Sequence, residues 1–592
     1  MCGVFGLFGI GASGYDSVRV DDPRLLAMER ALRHRGPDGA ARAAAGRGVL
    51  GSTRLRIVGA GDSGQQPLAD ESGLSLLACN GEFFDHAALR AGLEKRGHRF
   101  RSDTDVEVAL HIYEEAGLAG IGGLSGMFAF ALHDASRGEL HLARDRFGEK
   151  PLFLRRAAGR IAFASEIPAL LAAFAPERPG IDLDAVREYA AFQSVGGART
   201  LVSGIEKIEP GVALTFDLAS GAERRARIAP PIEPGDGTNA GLLAALRRAV
   251  ERRVAGLSAR VGVALSGGLD SSAVAALAAR APAEPGRDLV LVTGYCDEVP
   301  GFDERPFARE VARSVGSPLV EARLDEETFA AALPDAIRAL GEPAAGPGAV
   351  GQLVVARAAA REGVRVLLTG EGSDELFGGY ARFLLAWQRE SGRRVDASPL
   401  GDYGALEAAF AAAPSALDGY LGALARDPSS AAVTSARLEI EAREGPLLAR
   451  LLAFETERLL PALLAVDDRV TMAAGIESRS PFLDAGVAAA AAGFGAEALF
   501  AGGLPKAPLR EAMRGLLPES VRLRPDKMGF PVPLGRYLAR SLEAPLRRAA
   551  EAVSDLALPV DARLPGKGEP IGRAEARRLW GVLSLGLWAA LW

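Results

Sequence analysis

An apolar run at residues 261–265 leads directly into Ser-Gly-Gly-Leu-Asp-Ser-Ser at 266–272 and then into a helical pattern. Two adjacent glycines let the backbone approach a polyanion, and the following helix directs N-terminal amides carrying about half a positive charge towards it. Asp270 would repel a phosphate unless a divalent cation lay between them. The alternative is a glycine turn with a Ser or Asp helix cap. The position between a strand and a helix favours a phosphate-binding loop.

The pattern around this loop alternates between strands and helices. Strands are predicted at 289–293, 318–323 and 364–369, and the helices between them at 272–280, 304–315, 326–340 and 350–362. Continuous apolar strands separated by helices predict a doubly wound parallel sheet, which binds ligands at the carboxyl ends of its strands. From about residue 381 onwards the chain is predicted to be wholly helical.

A second glycine-rich loop follows the predicted strand 364–369. It reads Thr-Gly-Glu-Gly-Ser-Asp-Glu at 369–375, with three carboxylates within five residues. Such carboxylates repel one another unless a metal ion or a cationic substrate is present, although a solvated acidic turn is the simpler alternative. Parallel topology would bring both loops to the same edge of the sheet.

The N-terminus offers separate chemistry, because Cys2 follows the initiator methionine. If the methionine is removed, Cys2 carries both a thiol and an α-amine, and the amine can take the proton of the thiol at about neutral pH. The alternative is a small apolar residue that begins a buried strand.

The first part of the chain differs in pattern from the second. Short strands are predicted at 48–58, 74–79, 127–133, 140–143 and 161–164, with helices at 24–33, 86–96 and 106–116, which indicates an α+β layered domain. The Pro- and Gly-rich stretch at 218–240 is predicted to be a linker. The expected domains are therefore 1–217 and 241–592.

Composition limits the possible partners and surroundings. The chain has 592 residues, a net charge of −6 and three cysteines. The acidic balance argues against a nucleic-acid or anionic-membrane partner, and the apolar runs are too short to span a bilayer. Three cysteines cannot build a disulfide framework, so a reducing cytoplasm is the expected compartment. Small molecules are the expected partners.

These motifs resemble the glutamine-hydrolysing asparagine synthetases, and the match covers nearly the whole chain in family order. The resemblance implies an α+β N-terminal-nucleophile glutaminase sandwich, then an α/β doubly wound parallel-sheet ATP pyrophosphatase domain with a helical C-terminal part. It is compatible with a homodimer and implies an internal passage for ammonia. Besides the two loops, it depends on the stretches at 1–6, 33–38, 54–58, 66–68, 80–82, 143–148, 165–167, 477–484 and 527–530.

The resemblance implies roles for residues of the first domain. Cys2 would attack the side-chain amide of glutamine, while Asn80 and the amide of Gly81 would form the oxyanion hole. Arg54 would pair with the glutamine carboxylate and Asp105 with its ammonium group. Glu82, which completes the Asn-Gly-Glu motif, is also expected in the glutamine site.

In the second domain the resemblance implies that an acceptor carboxylate attacks the α-phosphorus of ATP and expels pyrophosphate. Mg²⁺ would bridge the phosphates to Asp270 and Asp374. Lys527 would steady the α-phosphate, and Glu371 would deprotonate the incoming ammonia. Lys506 and residues 467–469 receive no role. The residues expected to bind ATP are Leu265, Ser266, Gly267, Gly268, Asp270, Ser271, Ser272, Thr293, Thr369 and Gly370.

One segment departs from the family pattern. The family commonly has Asp-Glu-Pro followed by a polar stretch that ends in Pro-Thr-Tyr or Pro-Met-Tyr, whereas residues 341–353 carry glycine and apolar residues at the polar positions. Three hypotheses therefore remain: synthesis of asparagine from aspartate, amidation of another carboxylate by the same chemistry, and a non-catalytic, glutamine-sensing protein. The intact reactive residues argue against the third.

Overall fold

The computed structural model describes residues 2–11, 17–59, 61–157, 159–257, 259–284, 288–344, 346–393, 403–427, 430–525, 532–566 and 569–591. The chain divides into two compact units. Unit 1 comprises Met1–Asp182 and Gly197–Pro231, and unit 2 comprises Leu183–Gly196 and Ile232–Trp592.

Unit 1 is built from short strands and a few helices. The strands are β1 Cys2–Gly9, β2 Gly39–Ala45, β3 Gly48–Arg54, β4 Leu68–Ala69, β5 Ser75–Phe83, β6 Gly126–Asp134, β7 Glu139–Arg144, β8 Phe153–Ala157, β9 Arg160–Ala164, β10 Ile205–Lys207, β11 Val212–Asp217 and β12 Glu223–Arg227. The helices are α1 Pro23–Ala31, α2 His86–Lys95, α3 Val106–Gly122 and α4 Ile167–Ala173.

These strands form two six-stranded antiparallel sheets, in the orders β10-β8-β9-β1-β3-β2 and β12-β11-β7-β6-β5-β4. Apolar side chains of both sheets, such as Phe8 of β1 and Leu142 of β7, share one buried core. A second core joins β5 and β6 to α3 through residues such as Phe130 and Leu110. Strand β1 is buried along its whole length. The predicted α+β sandwich is confirmed.

The segment predicted as a linker differs in part from the expectation. Within 218–240, residues Glu223–Arg227 form β12, which pairs antiparallel with β11. Its five residues are all exposed and charged or small, so no apolar alternation marked it as a strand in the sequence.

Unit 2 contains the remaining five strands and most of the helices. The strands are β13 Val261–Ala264, β14 Leu289–Tyr295, β15 Leu319–Arg323, β16 Val366–Leu368 and β17 Glu477–Arg479. The helices are α5 Leu183–Phe192, α6 Asn239–Val254, α7 Leu269–Ala278, α8 Arg305–Val315, α9 Glu326–Leu340, α10 Gly348–Arg361, α11 Ser373–Phe377, α12 Ala381–Ser391, α13 Tyr403–Ala412, α14 Ala416–Leu424, α15 Ala431–Glu441, α16 Leu447–Phe454, α17 Leu460–Met472, α18 Ala485–Ala492, α19 Ala496–Leu499, α20 Ala507–Ala512, α21 Glu519–Arg522, α22 Leu534–Leu538, α23 Glu543–Asp555 and α24 Arg573–Ala589.

The strands of unit 2 form one parallel sheet in the order β15-β14-β13-β16-β17. The chain progresses outward from β13 in one direction and then, through β16, in the other. The predicted doubly wound sheet is thus confirmed, and its topological switch point lies between β13 and β16. A doubly wound sheet binds its ligands outside the carboxyl ends of the strands at such a point.

The sequence predicted a wholly helical region from about residue 381, but this region also contains a strand. Glu477–Arg479 forms β17 at the edge of the parallel sheet, next to β16. Three charged or polar residues give no apolar signal, yet all three are buried. The chain also places α5 in unit 2, where Glu188 pairs with Arg458 at 3.0 Å and Gln193 donates to the carbonyl of Arg577 at 2.6 Å.

Within the described ranges no single helix is both long enough and apolar enough to cross a bilayer; one pair, Ala485–Ala492 with Ala496–Gly503, meets the length and composition criteria together but bends by 108°.

Candidate functional site

The first candidate site surrounds Cys2, at the start of β1. Its side chain is buried, and its backbone nitrogen donates a hydrogen bond of 3.1 Å to Oδ1 of Asn80, on β5 of the opposite sheet. This bond turns the other end of the Asn80 amide, Nδ2, away from the backbone of Cys2. Nδ2 is buried and has no hydrogen-bond partner among the described residues. An unused donor of this kind can stabilise an oxyanion beside the thiol.

Gln66 is a residue of this site to which the sequence motif Gln-Pro-Leu assigned no role. Its Nε2 lies 3.8 Å from Sγ of Cys2, and its Oε1 accepts a hydrogen bond of 2.5 Å from the backbone of Cys79. On β5, the strand that contains Cys79, a Cβ at Gly81 would lie 2.3 Å from the carbonyl oxygen of Met127. Only glycine therefore allows β5 to approach β6 so closely at that point.

Charged residues surround the thiol at the predicted positions. Burial raises the pKa of Cys2, and the charge of Asp105 raises it further. A hydrogen bond from the backbone of Leu55 and the charge of Arg54 lower the pKa. Arg54 and Asp105 are both almost fully buried, and Glu82, on β5, is buried as well. The structure thus brings a cation and an anion near the thiol.

The guanidinium of Arg54 is held by its surroundings. It donates hydrogen bonds of 2.8 Å and 2.7 Å to the carbonyls of Gly61 and Gly59. The carboxylate of Asp105 accepts a hydrogen bond of 2.8 Å from the backbone of Phe83. Both side chains are therefore fixed before a substrate arrives, which reduces the entropy lost on binding.

The second candidate site is a cavity of about 210 Å³ in unit 2, at the carboxyl ends of β13 and β16. Most residues predicted for the synthetase site, including the predicted base Glu371, line it: Leu265, Ser266, Gly268, Asp270, Ser271, Thr369, Gly370, Glu371 and Asp374. Gly267, Ser272 and Thr293 do not line it, although Val292 and Gly294, the neighbours of Thr293, do. Lys527 lies outside the described residues.

The phosphate-binding loop has the conformation that its glycines permit. Gly267 has φ of +79°, and a Cβ there would lie 2.8 Å from Cβ of Phe307. Ser271 accepts a hydrogen bond of 3.1 Å from the backbone of Ser266, which closes the loop over the start of α7. Oγ of Ser272 is buried and makes no hydrogen bond with a described residue. The loop thus holds a spare donor next to a helix N-terminus.

Lys506 is the residue of the cavity that the sequence left without a role. Its ammonium nitrogen lies 2.7 Å from Asp270 Oδ1 and 2.7 Å from Asp374 Oδ1, and it donates to Ser373 Oγ at 3.2 Å. The side chain is 4% exposed. The two aspartates thus meet at one cation, 236 residues from Asp270 in the sequence.

The backbone and the charge of Lys506 are both unusual. Its φ is +60°, in the left-handed region that costs a non-glycine residue about 1–2 kcal/mol. Burial lowers the pKa of Lys506, although the adjacent Asp270 favours the charged form. Strained backbone and a desolvated cation in one cavity are typical of functional sites.

The cavity includes further residues that the sequence analysis did not select: Glu304, Gln352, Asp467, Thr471, Arg510 and Arg524. No local motif marked them, since most of them come from segments that are far apart in the sequence; only Asp467 and Thr471 share a helix, α17.

The donors present fit the groups that the family would bind. Backbone amides of the loop and the hydroxyls of Ser266 and Ser271, which line the cavity, suit the phosphates of ATP. Two carboxylates that converge on one ammonium group suit a divalent cation, because Mg²⁺ prefers oxygen ligands. Asp270 and Asp374 are the residues that would hold it.

Comparisons with known proteins find relatives for both parts of the chain. A family model for asparagine synthase matches residues 241–590, and one for a glutamine amidotransferase domain matches residues 1–225. A Mycobacterium tuberculosis protein whose name assigns it to the glutamine-hydrolysing asparagine synthetases is 31% identical over 100% of this chain and 97% of its own length. Asparagine synthetase 1 of Bacillus subtilis, also named glutamine-hydrolysing, is 28% identical over the same shares.

A relative with a different name is also similar. Amidase chry2 of Gibberella zeae is 31% identical, over 60% of this chain and 54% of its own length. The two family models together match residues 1–225 and 241–590, nearly the whole chain. The chain therefore belongs to the glutamine-hydrolysing asparagine synthetase family and is an ATP-dependent amidating ligase.

Proposed function

We propose that this protein amidates aspartate to asparagine, with glutamine as nitrogen donor and with ATP cleaved to AMP and pyrophosphate. The observation that carries the proposal is the buried Lys506 ammonium between Asp270 and Asp374, in a cavity at the switch point of the parallel sheet. A cation and two acidic residues at that position suit the transfer of the adenylyl group of ATP.

In unit 1, the thiol of Cys2 attacks the side-chain carbonyl of glutamine, so a carbon–sulfur bond forms and ammonia leaves. Nδ2 of Asn80 and the amide of Gly81 stabilise the oxyanion that develops. Arg54 holds the substrate carboxylate and Asp105 its ammonium group. Water then hydrolyses the thioester and releases glutamate. The fixed positions of Arg54 and Asp105 support these roles.

In unit 2, the acceptor carboxylate attacks the α-phosphorus of ATP, and pyrophosphate leaves along the loop 266–272. Ammonia then attacks the carbonyl of the acyl-adenylate, Glu371 accepts a proton, and AMP leaves. Bound at Asp270 and Asp374, Mg²⁺ would neutralise phosphate charge. Lys506 stabilises the charge on the α-phosphate.

We assign to Lys506 the role that the resemblance gave to Lys527. Lys506 lines the cavity and lies 2.7 Å from both aspartates, so its ammonium is already next to the phosphate loop. Desolvation strengthens its interaction with a phosphate compared with the same interaction in water. Lys527 remains a predicted residue of the active site, but without this role.

Amidation of a different carboxylate is the second candidate, and one side chain favours it. Gln352, on α10, lines the cavity, and its Oε1 is buried without a hydrogen-bond partner among the described residues. It belongs to the segment 341–353, which is less polar than the corresponding family segment. The free amide oxygen of Gln352 suits a carboxylate substrate that also carries a hydrogen-bond donor. The similar amidase chry2 carries a name other than asparagine synthetase.

The test is pyrophosphate release by purified protein with glutamine, ATP and Mg²⁺, measured with and without aspartate. Asparagine and pyrophosphate formed in equal amounts, only when aspartate is present, support the first candidate. Glutamate release without any aspartate-dependent pyrophosphate contradicts it. In that case a panel of other carboxylates, assayed by the same pyrophosphate release, tests the second candidate.

A further inference from the structure

A cluster of histidines and glutamates in unit 1 takes no part in the reaction described above. It comprises Glu71, His98, His111 and Glu114, and one ligand atom from each lies within 4.8 Å of the others. The four come from three segments: the turn after β4, the loop after α2, and α3. The His111 side chain is 1% exposed and that of His98 is 16% exposed, so both imidazoles are largely withdrawn from water.

The spacing of the four groups is close to that of a tetrahedral metal site. With bonds of about 2.1 Å to nitrogen and oxygen, the ligand atoms of tetrahedral zinc lie about 3.4 Å apart. Nδ1 of His98 lies 3.6 Å from Glu71 and 3.5 Å from Glu114, and Nδ1 of His111 lies 3.7 Å from Glu71. The fourth distance, 2.6 Å from His111 Nδ1 to Glu114, is a hydrogen bond that a metal ion would replace.

Each histidine also has a carboxylate behind its other nitrogen. Nε2 of His98 lies 3.2 Å from Glu115, which Arg96 holds through hydrogen bonds of 2.7 Å and 3.0 Å. Nε2 of His111 is buried, lies 3.7 Å from Glu107 and makes no hydrogen bond within the described part of the chain. Glu115 fixes the tautomer of His98 that leaves Nδ1 free to bind a metal, and Glu107 is the carboxylate next to Nε2 of His111.

We propose that Glu71, His98, His111 and Glu114 bind one Zn²⁺ ion. Two imidazole nitrogens and two carboxylate oxygens form a neutral set with a divalent cation, and imidazole favours zinc over calcium or magnesium. The buried His111 and the two outer carboxylates distinguish this cluster from an ordinary exposed acidic patch.

The position of the site suggests what the ion does. Glu107, behind His111, also accepts hydrogen bonds of 2.7 Å from the backbone of Arg101 and of Ser102. The same loop continues to Asp105, which is proposed to hold the glutamine ammonium. A metal ion at His111 would therefore brace the loop that carries a glutamine contact, in addition to joining three segments of unit 1.

The experiment uses the full-length protein, stripped with a chelator and titrated with Zn²⁺ alone. Binding is measured by competition with a chromophoric chelator, by metal analysis after gel filtration, and by the visible absorption of Co²⁺ as a tetrahedral substitute. One tightly bound ion per chain and a higher melting temperature with Zn²⁺ are expected. A folded wild-type chain that retains no stoichiometric zinc overturns the proposal.

Variants test whether these four residues, and not other side chains of the protein, bind the ion. His98→Ala removes a ligand from a partly exposed position, and Glu114→Gln keeps the shape of the side chain; both are expected to lose the ion and the thermal shift. Glu115→Gln is expected to weaken binding by about 10–100-fold, the usual cost of an outer partner. His86→Ala, on α2 outside the cluster, is the matched control. Zinc binding that survives both ligand substitutions in folded protein refutes the assignment.

Discussion

Replacing Lys506 by methionine tests the centre of the proposed synthetase site. Methionine has a similar length and removes only the charge, so the packing of the cavity changes little. The substitution takes away an ammonium that lies 2.7 Å from Asp270 and Asp374, whose side chains are 13% and 12% exposed. Two largely buried carboxylates would then face each other without a cation.

The expected size of the effect follows from this geometry. Removing one partner of a buried ion pair costs about 3–5 kcal/mol of stability, and proton uptake by one aspartate would reduce that cost. Loss of a preorganised donor at the transition state costs about 3–4 kcal/mol, or roughly 10²–10³-fold in rate. The variant should therefore remain folded but lose at least this factor in pyrophosphate release.

The assay is pyrophosphate release with ammonia as the nitrogen donor, so that unit 1 does not limit the rate. Glutaminase activity of the same preparation reports whether unit 1 is intact, and urea denaturation gives the free energy of unfolding. Lys527→Met is the comparison variant, because the sequence assigned the role to Lys527. A Lys506→Met protein that is folded and releases pyrophosphate within threefold of the wild-type rate would refute the reasoning.

Three further predictions follow from the two sites and the core. Cys2→Ala should abolish glutamine-dependent turnover and leave ammonia-dependent turnover intact, with Cys296→Ala as the control; loss of both activities in folded protein contradicts this. Gly379→Ala would place a Cβ 1.8 Å from Asp374 Oδ1, so the carboxylate must move and pyrophosphate release should fall about 100-fold, whereas an unchanged rate would show that the loop adapts. Burial would raise the pKa of Glu166, but His34 and Arg35 lower it from 4.5 to about 2. The ionised carboxylate therefore contributes about 3 kcal/mol to the free energy of unfolding. This contribution is complete above pH 4.5 and is lost as the pH falls towards 2. Glu166→Gln should therefore flatten the dependence of unfolding free energy on pH in that range, measured by urea denaturation, and parallel curves for the two proteins would count against the assignment.

The parallel sheet was predictable because four of its strands, β13 to β16, overlap predicted strands of the right length next to helical patterns. The predicted helix at 326–340 is confirmed to the residue, with Asp325 as its N-terminal cap and Gly341, at φ +68°, after its end. Among the strands that were not predicted, β12 and β17 consist mainly of charged residues. Their partners in space, and not their own composition, make them strands.

The candidate sites were predictable wherever function depends on a short local motif. Both loops and the Asn-Gly-Glu stretch of β5 are contiguous, so their residue types reveal their chemistry. Lys506 was not predictable, because its contacts with Asp270 and Asp374 are long-range and depend on a left-handed backbone position ahead of α20. A lysine in a helical region more often lies at the surface, and only the fold distinguishes the two cases.

The two sites share a property that residue identity alone does not give. Asn80 Nδ2, beside the thiol, and Gln352 Oε1, in the synthetase cavity, are both buried, and neither has a hydrogen-bond partner among the described residues. A buried polar group left without a partner costs about 1–3 kcal/mol, so each lowers the stability of the folded protein. A substrate that forms a hydrogen bond with such a group recovers this energy, so it binds more tightly than it would to the same group already satisfied. The sequence shows which polar groups exist, and the structure shows which of them the fold has left for the substrate.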